Sequence, residues 1–384
     1  MSYCTMNTNH NTEILIIGGG IAGCIAAISL SETYNVTLID KLEEPVNKVG
    51  ESLAPATQRV FNALGLSLND DHYENLFLNN LGMQSYWGSD QLQILDHLRN
   101  PDGLSKSVDR KKLGLFLREK ALEKGVKGFW GYRLFSSDYS NQKWKVICKK
   151  DNPKNRTSIT IDTDFLIDAT GRNSHFARSL GIKRTHFDSL ISCWLTVPNT
   201  SKNTMSSIIS DEFGWWYSAV LPENKRVISY QTDSDIFDKK VFKNFTSFSQ
   251  LLRKNSTINK LVEHHTDGVD FHGVVSANST KLNMVVGQQW LALGDAALSF
   301  DPLSSQGIFN AMANAMQVSE LLKTSQLSDL TDPEKMNQFS KQYTSQIESV
   351  WAHYVKHKNL FYGAETRWNN SIFWKRRLEN AFVL

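Results

Sequence analysis

The chain has 384 residues, 41% hydrophobic and 21% charged, with a formal net charge of +3. That length allows two closely joined domains with sizeable cores, and so small a net charge gives no case for nucleic acid or an anionic membrane surface as partner. No apolar run reaches the roughly 20 residues of a membrane-spanning helix. The 4 cysteines, Cys4, Cys24, Cys148 and Cys193, form no CxxC pair, and Cys24 and Cys193 read as inert core residues.

The leader Met1 to Asn11 is polar and lacks the apolar core of a secretory signal, so the cytoplasm is the expected location. Sequons such as Asn244-Phe-Thr246 mean little without a secretory route. Ile14-Leu-Ile-Ile then reads as a buried strand. It runs without a gap into Gly18-x-Gly20-x-x-Gly23 and an Ala-rich helix, Cys24 to Leu30. The three glycines serve a tight turn, close approach of backbone to a pyrophosphate, and close packing of helix on strand. A second strand, Val36-Thr-Leu-Ile-Asp40, ends in an acid at the distance expected of a ribose-binding carboxylate. A dinucleotide is expected here.

Beyond Gly50-Glu51-Ser52, a helix is expected over Ala56 to Leu64, ending at Gly65. Asp70 to Asn80 is polar and reads as irregular. Met83 to Leu95 alternates like strands and carries Trp87, and Asn100-Pro-Asp-Gly103 is turn chemistry. Ser107-Val-Asp109-Arg110 opens a helix in which Leu113, Leu117 and Ala121 keep helical spacing up to Gly125. Strands are expected over Lys143 to Cys148 and Ser158 to Ile167, with a loop from Asp151 to Arg156. Phe165-Leu-Ile-Asp168-Ala-Thr-Gly171-Arg172 is a second nucleotide signal. Trp290-Leu-Ala-Leu-Gly294-Asp295, followed by Asp301-Pro302-Leu-Ser304-Ser305-Gln306-Gly307 and a helix from Ile308, is a third. Between these, Ile182 to Leu282 is rich in β-formers and aromatics, with one helical piece, Phe242 to Glu263. Asp332 to Leu384 is helical, aromatic and basic.

Taken in order, the GxGxxG start, Asp168-Ala-Thr-Gly171 and Gly294-Asp295 resemble the FAD-dependent monooxygenases of the para-hydroxybenzoate hydroxylase fold, over most of the chain. Gly50-Glu51-Ser52 and Asp301-Pro-Leu-Ser-Ser-Gln-Gly307 resemble the tryptophan-halogenase branch. Ser85-Tyr-Trp87-Gly-Ser-Asp, Gly214-Trp-Trp-Tyr217 and Trp368…Phe373-Trp374-x-Arg376-Arg377 are more similar still to flavoproteins needed to make cysteine tryptophylquinone, or its relative, in a partner enzyme. The lysine oxidase and glycine oxidase maturation proteins belong to that group. The resemblance implies an α/β fold: a discontinuous Rossmann-type FAD domain (1–82, 105–181, 283–330), an inserted antiparallel substrate sheet (83–104, 182–282) and a helical C-terminal region (331–384).

It also implies site roles. Gly18, Gly20, Ile21, Ala22 and Gly23 would take the FAD pyrophosphate, and Asp40 with Lys41 the adenosine ribose. Gly50, Glu51, Ser52 and Arg110 would approach the flavin. Asp168 would order the loop at Gly171, and Gly294 with Asp295 would meet the ribityl hydroxyls. The loop of Pro302, Ser305, Gln306, Gly307 and Ile308 would stabilise negative charge at flavin N1 and O2. Pocket candidates are Glu51, Ser304, Ser305, Trp216 and Tyr217. Oxygen would be co-substrate, with an external reductant such as NAD(P)H.

Three departures disfavour halogenation. The halogenase Trp-x-Trp-x-Ile-Pro box becomes Trp215-Trp216-Tyr-Ser-Ala-Val-Leu-Pro222, Asn69 to Asp90 holds no lysine, and Ser304 stands where the active-site glutamate belongs. The leading expectation is hydroxylation of a tryptophan in the precursor of a quinone-cofactor oxidase, by a chain that is monomeric alone. Hydroxylation of a free aromatic metabolite and a flavin-stabilised maturation chaperone are the alternatives. No metal is expected, since His264 and His265 are adjacent and no cysteine or acid cluster completes a set. His97 and His272 read as surface or hydrogen-bonded core residues rather than bases. Trp351, Tyr354, Phe361, Tyr362 and Trp368 on the terminal segment fit either a helix packed on the body or a protein-contact surface.

Overall fold

In the computed structural model, which describes residues 7–67, 76–98, 100–150, 157–262 and 268–379 and all their side chains but those of Asn7 and Ser304, the apolar run at Ile14 is the inner half of a strand, Asn7–Ile17. Ile14, Leu15, Ile16 and Ile17 are all buried, so both faces of the strand are covered, as the continuous apolar run requires. Parallel strands Val36–Asp40 and Ser158–Asp168 flank it, and Lys127–Trp130 and Trp290–Ala292 extend the sheet in parallel on either side. Five carboxyl ends therefore meet at one edge. The hairpin Tyr132–Ser140/Lys143–Lys150 and the short Val286–Gly287 complete an 8-stranded sheet.

The first strand starts earlier than its polar leader implies. Asn7 to Thr12 pair with Ser158 to Thr163 through backbone bonds, which need no apolar side chains. Phe77–Asn80, within the stretch expected to be irregular, is also a strand, held by Ser105–Val108. His264, His265 and the expected loop Asp151 to Arg156 lie outside the described residues.

Ile182 to Leu282 and the Trp87 segment share a second sheet of 7 strands. Its order is Asp270–Ser276, Leu190–Pro198, Lys225–Asp233, Gly214–Leu221, Ser206–Asp211, Gly82–Tyr86 and Gln93–Asp96. It is not wholly antiparallel, because Ser206–Asp211 runs parallel to Gly82–Tyr86. These two strands come from distant parts of the chain, so no hairpin dictates their direction. The expected single helix is two, Phe245–Leu252 and Ser256–Asn259. Each has its own cap: Asn244 accepts from Ser247 N–H at 2.9 Å and Asn255 from Ile258 N–H at 3.0 Å.

A helix of 31 residues, Pro333–Gly363, follows Asp332, whose carboxylate caps it, with proline at its first position. Its buried face, Met336, Phe339, Tyr343, Ile347, Tyr354 and Tyr362, keeps helical spacing. Three of its tyrosines reach the body. Tyr343 donates to Ala292 O at 2.6 Å, Tyr354 accepts from Asp301 N–H at 2.9 Å, and Tyr362 donates to Asp301 Oδ2 at 2.7 Å. Phe373 and Trp374 of the last helix, Ile372–Glu379, are fully buried. Much of the terminal aromatic and basic segment is thus packing, although Phe361 stays exposed. None of the described helices is long and apolar enough to cross a membrane.

Arg377 and Asp233 form a buried pair at 2.8 Å beneath this last helix, with Arg376 at 3.1 Å from the same carboxylate. Removing Arg377 leaves Asp233 buried beside a single, more exposed partner. Arg377→Leu is expected to cost about 3 kcal/mol in urea unfolding. A loss below about 0.5 kcal/mol would show that Arg376 alone satisfies the carboxylate.

Candidate active site

The crevice at the carboxyl edge begins with the glycines. Gly18 has φ +116°, and a Cβ there would lie 2.3 Å from Ala169 O; a Cβ on Gly23 would lie 1.9 Å from Gly18 O. These two are fixed by the protein itself. Gly20 differs, since a Cβ there would meet nothing within 4 Å. It precedes the helix Ile21–Leu30, and no side chain caps that helix. Free N–H groups at Ile21 and Ala22 therefore face open space at a positive dipole end, which suits a phosphate.

Asp40 ends the second strand. Its Oδ2 accepts from Gly19 N–H and its Oδ1 from Leu42 N–H, both at 2.7 Å. Arg118 closes the other side, 3.2 Å from Asp40 Oδ2, donating also to the carbonyls of Gly19, Leu42 and Glu43, with its guanidinium 4.2 Å over the Trp130 ring. Asp40 therefore anchors the glycine loop through Oδ2, and its Oδ1 keeps one further lone pair for a ligand hydroxyl. Lys41 is exposed beside it.

Asp168 is fully buried and accepts from Thr170 N–H, the Thr170 hydroxyl and Ala177 N–H at 2.6–3.0 Å. It orders the turn that begins at Gly171, and burial pushes its carboxyl above the usual range. Gly294 packs on the first helix, where a Cβ would sit 2.9 Å from that of Ala22. Its N–H donates to Asn314 at 2.9 Å. Asp295 follows with its carboxylate partly exposed, 3.8 Å from Arg172. Asp301 accepts from Leu303 N–H at 2.9 Å and sets the turn Pro302–Ser304. Ser305 (φ +52°) and Gln306 then lead into the helix Gly307–Ser325, which again has no side-chain cap and buries Ile308.

Where the two sheets meet, polar atoms are left over. Glu51 is 3% exposed; its Oε2 accepts from Gly50 N–H at 2.9 Å, while its Oε1 has no partner. Burial pushes its carboxyl up to about 7 against the pull of Arg110. Arg110 donates to Gly50 O at 2.6 Å, and its Nε is buried and unpartnered. The Tyr217 hydroxyl approaches Ser52 without a well-formed hydrogen bond, and burial, then the nearby Glu51, raises its pKa. The Thr57 hydroxyl is orphaned too. Buried polar groups are costly without partners, so this cluster marks a place where something binds.

Trp216 does not belong to this cluster. Successive side chains of the strand Gly214–Leu221 point to opposite faces. Trp216 packs on Tyr230 and Phe248 beneath the short helices and donates to Asp211 at 2.9 Å. Tyr217 faces the cleft, and Trp215 shares its side, against Trp87, Tyr362 and Trp374. Phe248 and Trp216 form a core, so Trp216→Ala should destabilise by about 4 kcal/mol in chemical unfolding. Tyr217→Phe should leave stability within about 1 kcal/mol, because its hydroxyl has no partner to lose.

Among the described residues no three His, Cys, Asp or Glu side chains surround a common point. His272 stacks on Trp194 with ring centroids 3.8 Å apart, and His97 bonds Ser105 at 2.7 Å. Burial pushes the thiols of Cys24, Cys148 and Cys193 up to about 12, so none is a ready nucleophile. Two crevice residues carry no motif. Arg118 was visible only as a cation inside an apolar helix face. Lys48 lies in the open cleft, hemmed in enough that partial burial and then Arg110 lower its pKa, while Asp40 and Asp295 draw it the other way.

A helix end open at Gly20, acids at Asp40 and Asp295 and a second open helix end at Gly307 line one crevice. Those are the features of a flavin-dependent oxidoreductase that holds a dinucleotide between the carboxyl ends of its strands. Residues 11–342 match the FAD binding domain family, and the chain belongs to it. The chain is 28% identical to the putative FAD-dependent oxidoreductase LodB of Marinomonas mediterranea, covering 95% of this chain and 96% of LodB. It is 24% identical to the tryptophan 2-halogenase of Chondromyces crocatus, covering 83% of this chain but 62% of that one. Its fold matches the structure of the peptidyl tryptophan dihydroxylase QhpG, essential for tryptophylquinone cofactor biogenesis, with TM-score 0.78 and 21% identity, covering 96% of this chain and 78% of QhpG.

The residues present fit FAD. Gly20 leaves room where a phosphate must approach, the strand-end acids stand ready for hydroxyls, and the orphaned atoms at Glu51, Arg110 and Tyr217 await partners.

Proposed function

We propose that the chain is an FAD-dependent monooxygenase that hydroxylates a tryptophan side chain in a partner protein, the precursor of a tryptophylquinone enzyme. The observation that carries the reading is the buried, half-satisfied Glu51 at the junction of the two sheets. It sits between Arg110 and Tyr217, which in this reading face the flavin and the substrate. A carboxyl with its pKa near 7 holds or releases a proton at working pH, as oxygen insertion into an aromatic ring demands. Similarity along nearly the whole of LodB, and a fold shared with an enzyme acting on peptidyl tryptophan, support this substrate class.

Bound FAD, reduced by an external donor such as NAD(P)H, supplies the oxygen chemistry. The chain's own residues bind and orient it. Gly20 and the helix behind it take phosphate, Asp40 and Asp295 take hydroxyls, and the uncapped helix at Gly307 offers N–H groups to negative charge. Arg110 steadies a carboxylate at Glu51, and Tyr217 presents a hydroxyl to the substrate.

Halogenation fits poorly. Trp-x-Trp places both indoles on one strand face, whereas adjacent Trp215 and Trp216 point apart. Incubation with reduced flavin, oxygen, bromide and a panel of indoles is expected to give no brominated product by mass spectrometry. A clean bromotryptophan peak would overturn this part of the reading.

The decisive experiment produces a candidate quinone oxidase with and without this chain and weighs the peptide carrying its precursor tryptophan. Added oxygen, found only with the FAD-binding form, is expected. Equal maturation by a folded variant without FAD would favour a chaperone, and hydroxylation of small aromatics with no partner effect would favour a metabolite hydroxylase.

A further inference from the structure

The second sheet ends at the strand Gln93–Asp96, which pairs on one side only, with Gly82–Tyr86. An edge strand exposes a row of backbone donors and acceptors, and proteins guard such rows with lysine, proline, bulges or a covering element. This edge has none of them. Gln91 to Leu98 contains no lysine, arginine or proline, and the pairing with Gly82–Tyr86 runs without a bulge. All four strand residues are exposed, so nothing among the described residues covers them. Apolar side chains stand in solvent along it: Leu92 is 43% exposed, Ile94 58%, Leu95 64% and Leu98 69%. The opposite edge, Asp270–Ser276, is guarded, since its register with Leu190–Pro198 slips between Phe271 and Gly273, where φ is +81°.

The ladder shows which groups are free. His97 N–H donates to Leu81 O at 2.9 Å, and a Cβ on Gly82 would lie 2.4 Å from Leu95 O. Antiparallel pairing alternates, so Gln93 and Leu95 turn their backbone groups inward, and Ile94 and Asp96 turn theirs outward. Another extended backbone is what matches that spacing. The edge is also continuous with the cleft. Leu95 stands opposite Met83, which packs in one cluster with Trp215, Tyr217 and Leu303 of the turn Pro302–Ser304.

We propose that this edge grips the partner protein by strand addition, an extended apolar segment of the precursor becoming the eighth strand of the sheet. The inference rests on the protein-substrate reading above and names where that protein docks. Four residues span about 13 Å. That is too short to hold two copies of this chain over the roughly 1,200 Å² that stable association buries. A substrate that must leave after reaction suits so short a grip. The added strand lies four strand spacings, about 19 Å, from the strand that carries Tyr217. Docking segment and target tryptophan are therefore at least ~6 residues apart in the precursor.

The test measures binding of the FAD-loaded chain to the unmodified precursor of the candidate oxidase by biolayer interferometry, and follows hydrogen exchange by mass spectrometry. Exchange in the peptide 91–98 is expected to slow at least ~10-fold on binding. Ile94→Pro removes an outward donor without cutting the ladder, and Leu95→Lys places a charge on the cleft face. Each should weaken binding at least ~10-fold. Melting temperature and flavin absorbance should stay unchanged, as should binding by Val275→Lys at the opposite edge. A precursor that gains oxygen yet binds both edge variants as tightly as the wild type overturns the docking site and leaves the function standing. Edge-dependent binding without added oxygen supports the docking and overturns the hydroxylation, while a precursor that neither binds nor gains oxygen overturns both. Weakening by Val275→Lys equal to that by Leu95→Lys would show general charge repulsion and sink the strand contact. A dimer of this chain in light scattering, lost in Ile94→Pro, would assign the edge to a second copy and overturn the proposal too.

Discussion

Gly20→Val is expected to yield a folded, colourless protein, and Gly23→Val no folded protein at all. The two positions stand three residues apart in one motif, yet the structure gives them opposite jobs. A Cβ on Gly23 would lie 1.9 Å from the Gly18 carbonyl, a clash with backbone that no rotamer relieves. Overpacking of that kind costs more than about 3 kcal/mol. At Gly20 a side chain meets no protein atom within 4 Å, and the backbone is extended with φ −84°, which valine adopts freely. Its isopropyl group would instead fill the space before the uncapped helix. Affinity for FAD should fall by at least ~100-fold, with the melting temperature of the flavin-free protein unchanged. Flavin absorbance after purification and a thermal melt read both effects. Full FAD content in Gly20→Val would remove the pyrophosphate from this helix end.

Glu51→Gln should make the flavin-free protein more stable at pH 8 and leave it unchanged at pH 4. Burial raises the folded pKa of Glu51 from its ordinary 4.5 to about 7. The folded state therefore binds the proton more tightly than the unfolded chain does. Stability linked to this group is fully present below about pH 4.5, is lost as pH rises through about 7, and is flat above that. The full difference is about 3 kcal/mol, and glutamine, neutral at every pH, avoids it. Urea unfolding at several pH values gives the profile directly. A parallel pH dependence in both proteins would mean that Glu51 is solvated and unfit for proton transfer. If the proposed function holds, the same variant should lose hydroxylation at all pH values while retaining FAD, because amide cannot exchange a proton with the substrate.

The FAD half of the site was legible because it is built from local signals. Glycines that turn or approach closely, a strand-end acid and a helix start all leave their mark within a few residues, and the sheet register brings Gly18, Asp40, Asp168 and Gly294 to one edge. The substrate half was not, since its wall is assembled across distance. Whether Trp216 or Tyr217 faces the cleft depends on strand phase, and a run of aromatics on a sheet with two buried faces carries no alternation to reveal it. The parallel pairing of Gly82–Tyr86 with Ser206–Asp211 has no turn to announce it.

Tyr362 and Tyr354 both hold the loop at Asp301, from a helix that lies near the end of the chain. During synthesis the Gly18 loop and its strands emerge from the ribosome first and have their sheet partners long before those tyrosines appear. The Gly18 end of the crevice thus has its partners early, whereas Asp301 lacks its two tyrosine partners until the helix Pro333–Gly363 docks. Cofactor capture is consequently expected late in the life of the nascent chain. A ribosome stalled after Ser325 is therefore expected to display the sheet with the Asp301 turn still without its tyrosine partners, and to take up FAD poorly.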